Sequence, residues 1–161
     1  MTYSTQNPFH YSVNVFGRLN AIGLAAEYFF ARAAQCSPDN NLRLTLLQLS
    51  RLHRSLALNK TTATTQHQSG TETLSQQLAA VQFWYQHHTL TLKRDTALAQ
   101  VLDQLSSLLQ QQLQAMKGLI RQTADQQVRI ELASLSASLQ IANDQLLKVL
   151  PAGRKKIQTL N

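Results

Sequence analysis

One cysteine, Cys36, is all this chain has, so no disulfide can form within it, and a reduced, cytoplasmic setting is the expectation. Proline is down to 3 residues and glycine to 5, two of the prolines lying near the ends. A chain this short of breakers and this rich in Leu, Gln and Ala is expected to be helical. No run of about 18 apolar residues occurs, so no membrane-spanning helix is expected. Residues 1–14 carry no Lys or Arg and no apolar stretch of the kind a secretion signal needs. Catalytic signatures are missing as well. There is no phosphate loop, no dinucleotide fingerprint and no G-x-S-x-G elbow, and the expectation is a protein that is not an enzyme.

Acids are scarce: 8 Asp and Glu stand against 15 Lys and Arg, for a net charge of +7. Such a balance favours anionic partners, whether nucleic acid, an acidic protein or a lipid surface. The basic residues are dispersed, however. Their one dense cluster is Arg154, Lys155 and Lys156, in a tail spanning 151–161.

What is present is apolar periodicity. Apolar residues make up 43% of 161, enough for the core of one domain. Residues 1–14 read as a flexible arm, with Asn7-Pro8 favouring an extended or turn start. Residues 15–150 read as a single bundle. Its first hairpin is 15–59: Phe16, Leu19, Ile22, Ala26 and Ala33 form one stripe, and Leu42, Leu46, Leu49, His53 and Leu56 form the next. Ser37-Pro38-Asp39-Asn40 separates them, with Ser37 as cap and Pro38 as first helical residue. A polar linker follows at 60–70. Residues 71–94 carry Leu74, Leu78, Val81, Tyr85, His88 and Leu92, with Trp84 beside the stripe. The β-branched stretch from Thr89 to Thr91 weakens that segment, which reads as a short helix or crossover.

The second hairpin, 95–150, organises the whole. One helix carries Leu98, Val101, Leu102, Leu105, Leu109, Leu113 and Met116, and places Gln104, Gln110, Gln111, Gln112 and Gln114 on its outer face. The other carries Val128, Leu132, Leu135, Leu139, Ala142, Leu146 and Val149. The expected fold is all-α: an antiparallel up-down four-helix bundle with a short extra helix or crossover before the second hairpin.

A helical bundle can hold a metal in its core when carboxylates and imidazoles share a layer. There is no Glu-x-x-His here. The weak candidates are Glu27, His53, His88 and Glu131, and no metal or other cofactor is favoured. His53 and His88 both fall on core stripes, where an imidazole either serves as a ligand or packs with one nitrogen on a carbonyl. Surface aromatics are candidates for contact with a partner: Phe9 and Tyr11 in the arm, and Trp84. Arg154, Lys155 and Lys156 are candidates by charge.

In the order and length of these parts the chain resembles the ferritin-like four-helix-bundle domains of a bacterial family of unknown function with a stress association. The resemblance rests on the first hairpin with its Ser37-Pro38-Asp39-Asn40 break, the polar linker, the Trp84 segment and the second hairpin. It implies a ferritin-like fold and a stress-related role. Where that family tends to be acidic, this chain has Gln110, Gln111 and Gln112, so the acidic metal-ligand pattern is degraded. The expected function is binding of further copies of itself, as a homo-oligomer, or of a protein partner. Alternatives are a metal-binding ferritin-like protein with a degenerate site, and a binder of nucleic acid or anionic surfaces.

Overall fold

The computed structural model describes residues 3–59, 72–92 and 95–150, and the side chains of 15–59, 73–92 and 98–150. Among the described residues there are five helices and no strand: α1, Tyr3–Cys36; α2, Asn40–Ala57; α3, Glu72–Thr91; α4, Asp95–Gln122; and α5, Gln126–Val149. The polar linker and the Arg154–Lys156 cluster lie outside the described residues.

Two of the breaks between helices are made by aspartate. Asp39 has an extended backbone and accepts a hydrogen bond from Leu42 N at 2.8 Å, so α2 starts at Asn40. The expected cap was Ser37, but its hydroxyl donates to Asp39 O at 3.2 Å instead. A carboxylate serves the positive helix start better than a hydroxyl does. Asp125 caps α5 in the same way, accepting from Gln127 N at 2.9 Å and Val128 N at 3.2 Å. Three residues suffice to join α4 to α5, which makes those helices antiparallel neighbours.

Two boundaries differ from the sequence reading. α1 starts at Tyr3, so the flexible arm expected over 1–14 is largely helical backbone. Phe9, Val13 and Phe16 are spaced by four and three residues, a helical period that the arm reading overlooked. Pro8 forgoes only one amide hydrogen bond near the start of this 34-residue helix. The second difference is α3. It has 20 residues against 18 in α2, and Leu78, Val81 and Tyr85 are buried along it. It is a full member of the bundle rather than a crossover. It runs on through Thr89 and ends at Thr91, with these two hydroxyls donating to the carbonyls of Tyr85 and His88.

Packing closes the helices into a ring in the order α1, α2, α5, α4, α3 and back to α1. The direction of each neighbour follows from its contacts. Gly23 of α1 lies against His53 and Ala57 of α2, while Ser50 bonds Glu27 O, so α1 and α2 are antiparallel. Tyr85 meets Gln112 while Leu74 meets Gly118, so α3 and α4 are antiparallel. Arg18 reaches Gln82 and Arg32 reaches Leu92 O, which makes α1 and α3 the one parallel pair among these. Inside the ring lie Phe29, Phe30, Leu46, Leu49, Leu78, Leu105, Leu113 and Leu139, all sealed from solvent. Each fully buried side chain of this size contributes about 1.5–3 kcal/mol. The surface ion pair of Arg54 with Glu27, at 3.8 Å, adds little beside that.

Candidate functional site

Two features stand out from this frame: a chain of polar groups inside the ring, and an apolar groove on its outside.

The buried chain crosses three helices. Tyr85 of α3 donates its hydroxyl proton to Gln112 Oε1 of α4 at 2.7 Å. Gln112 Nε2 donates to His53 Nε2 of α2 at 2.9 Å. His53 Nδ1 then donates to Leu49 O at 2.8 Å, which fixes the neutral tautomer with its proton on Nδ1. His53 and Gln112 are fully buried, as is Tyr85. From α1, Phe30 stacks on the imidazole at 5.1 Å, and Phe29 and Phe30 flank the phenol. Burial drives the His53 pKa down from 6.5 to about 4, although the bonds to Leu49 and Gln112 oppose the fall. Burial also raises the Tyr85 phenol well above the ordinary tyrosine range, so it stays protonated and donates.

Every member of this chain is satisfied, which makes it a packing device that fixes α2, α3 and α4 in register. Tyr85→Phe removes the donor and leaves Gln112 Oε1 buried without a partner. The expected loss is about 1.5 kcal/mol, read as a urea midpoint shift at unchanged slope.

The candidate metal ligands are not brought together. Both nitrogens of His53 are committed. The Glu27 side chain faces Arg54. His88 is half-buried, bonds Trp84 O through Nδ1 at 3.0 Å and stacks on the Trp84 indole at 4.1 Å. Glu131 accepts from Gln127 within α5. Among the described residues no group of three or more His, Cys, Asp or Glu could hold a metal ion.

The outer groove lies between α1 and α3. It has a volume of about 510 Å³ and is lined by Ala21, Leu24, Ala25 and Tyr28 from one helix and Gln82, Gln86, Thr89 and Leu90 from the other. Leu24 is 51% exposed, Tyr28 66% and Leu90 77%. Phe83, 67% exposed, stands on α3 nearby in sequence and stacks on His87. No charged side chain lines the groove. Trp84, the indole candidate, belongs elsewhere. It packs on Phe29 and donates to Gln104 on the α3–α4 side, so it is partly buried. The Phe9 and Tyr11 side chains lie outside the described residues, as do Arg154, Lys155 and Lys156.

No protein-family model, no curated protein and no solved structure matches this chain. Nothing in these comparisons bears out the ferritin-like resemblance. Among the described residues no helix is long and apolar enough to cross a membrane.

Sequence reading placed Gln112 on the outer glutamine face, and the structure puts it in the core. The signal was available: Gln112 lies four residues from both Leu108 and Met116, on the stripe itself. Leu24, Tyr28 and Leu90 were missed for another reason. Their exposure depends on which helices become neighbours, and a single stripe does not specify that.

Proposed function

We propose that this chain is a non-enzymatic helical bundle that works by binding protein through its α1–α3 face. One observation carries the reading: an apolar groove free of charged side chains, edged by Leu24, Tyr28 and Leu90 at half or more exposure. Cores of protein interfaces are depleted of charge and enriched in aromatic and large apolar side chains in this way. The surface of α4 differs in character. Its exposed side chains include Gln104, Gln110, Gln111 and Gln114, and it has no large exposed apolar residue among those described.

The metal reading is weaker. A histidine ligand needs a free nitrogen lone pair, and that of His53 accepts from Gln112. The nucleic-acid reading lacks a basic face on this groove. A stress-related role and a ferritin-like ancestry belong to the same proposal through the sequence resemblance alone, and a cytoplasmic setting through the single cysteine.

The test is co-purification from the native cells with identification by mass spectrometry. Three forms of the full chain are compared: wild type, Leu24→Glu on the groove, and Ile141→Glu on α5, where the isoleucine is 59% exposed. Proteins held by wild type and by Ile141→Glu are expected to be lost from Leu24→Glu. An identical set on all three would sink the assignment of this face.

A further inference from the structure

We propose that the partner on the α1–α3 face is an acidic amphipathic helix, its apolar stripe laid in the groove and a carboxylate near each end paired with Arg18 and Arg32. The inference rests on the protein-binding reading above and names the partner's chemistry. Position is the first argument. Arg18, Ala25 and Arg32 follow one another at seven-residue spacing, so they share one face of α1. Arg18 precedes Ala21 and Arg32 follows Tyr28, the first and last α1 residues of the groove lining. Each arginine also reaches α3, at Gln82 and at Leu92 O. About 21 Å of helix separates the two. The seam is thus apolar along its middle, with a guanidinium at each end.

The second argument is charge. Among the described residues neither arginine has an ion pair. Glu27, the one carboxylate of α1, faces Arg54 of α2, and Glu72, the one carboxylate of α3, stands at that helix's start. Arg18 is poorly provided for. Its one bond, to Gln82 Oε1, is 3.5 Å long, and its Nε is buried without a partner. A guanidinium held so loosely can turn onto a carboxylate that takes Nε–H and a terminal N–H side by side. Arg32 commits Nε to Leu92 O at 3.1 Å and is exposed, which leaves its terminal N–H groups for another acceptor. A net charge of +7 draws an acidic partner in and turns a basic one away. The third argument is shape. α1 and α3 run parallel, and the furrow between them is edged by the exposed Leu24, Tyr28 and Leu90. A third helix lies in such a furrow by its apolar residues at three- and four-residue spacing.

Fluorescence anisotropy of the full chain with two labelled synthetic peptides tests the proposal. Both are helices of Ala, Leu and Gln, about 20 residues long, with Leu at three- and four-residue spacing. One carries two Glu flanking the leucines at the spacing of the two arginines, and the other carries Lys in their place. Wild type is expected to bind the Glu peptide about tenfold more tightly than the Lys peptide. Arg18→Glu/Arg32→Glu should reverse that order, and Leu24→Glu should weaken both peptides about tenfold. Arg43→Glu/Arg51→Glu makes the same change in net charge at exposed positions of α2 and should keep the wild-type preference. Should the Arg18→Glu/Arg32→Glu protein fail to fold, Arg32→Glu alone, at an exposed side chain, carries the test by narrowing the preference about threefold. Equal affinity for the two peptides overturns the proposal. So does a preference that Arg43→Glu/Arg51→Glu abolishes just as well, which is attraction by overall charge. A wild type that binds neither peptide up to about 500 µM overturns it too, and dimerisation of that same protein in sedimentation velocity would name a second copy as the occupant. In each of these cases, proteins lost from Leu24→Glu on co-purification leave the binding face standing, and none lost overturns both readings.

Discussion

Gly23→Ala is expected to destabilise the protein by about 3 kcal/mol. Two effects compete at this position. In a helix interior, alanine is favoured over glycine by about 1 kcal/mol. Against that, a Cβ on Gly23 would lie 2.5 Å from Ala57 N, 2.6 Å from His53 O and 2.9 Å from Ala57 Cα. All three are backbone atoms of α2, so no side chain can rotate out of the way. α1 and α2 must part, and the layer that holds Phe30 against His53 opens with them. Steric cost therefore wins over propensity. The melting temperature should fall by about 6–12 °C for a chain of this size. Gly17 is the matching control on the same helix. Nothing lies within 4 Å of the Cβ position there, and the residue is exposed. Gly17→Ala should stabilise by about 0.5–1 kcal/mol. If both variants melt like wild type, the close approach of α1 to α2 at Gly23 is wrong.

That glycine shows where sequence reading runs out. The stripes of α2, α4 and α5 were legible, because Leu and Val at three- and four-residue spacing record which face each helix buries. Leu42, Leu46, Leu49 and Leu56 are all buried as read. So was His53, whose place on the stripe gave its burial, though not its partners. Neighbour relations are a property of pairs of helices, and one chain's periodicity does not encode them. Hence the contact at Gly23, the parallel pairing of α1 with α3 and the groove between them needed coordinates. α3 was hard to read for a further reason. Phe83, Trp84 and Tyr85 point around the helix, so apolar side chains appear on every side. Phe83 is exposed, Trp84 half-buried and Tyr85 sealed. Aromatic density alone gave no face.

Acid should weaken the fold through His53, by about 3 kcal/mol between pH 6.5 and pH 4. The sign follows from the two pKa values. In the unfolded chain the imidazole titrates near its ordinary 6.5, whereas burial lowers it to about 4 in the fold. Within that window the unfolded chain takes up a proton that the folded protein refuses. Stability is thus fully present above pH 6.5 and is lost as pH falls, at no more than about 1.36 kcal/mol per pH unit. The geometry explains the refusal. The neutral ring accepts from Gln112 Nε2, stacks on Phe30 and meets Tyr85 edge-on. A protonated Nε2 would face the Gln112 amide donor. It finds an acceptor only if that amide turns over, presenting Oε1 to the imidazolium and Nε2 to the Tyr85 oxygen. His53→Phe separates this effect from carboxylates that titrate near the low end of the window. The variant should be less stable than wild type at pH 7, because Gln112 loses its acceptor. Its urea-derived stability should then fall less steeply from pH 6.5 to 4, so that the two curves converge toward acid. Parallel curves across the window would show that His53 takes up its proton equally in both states, and the buried neutral imidazole would have to be abandoned.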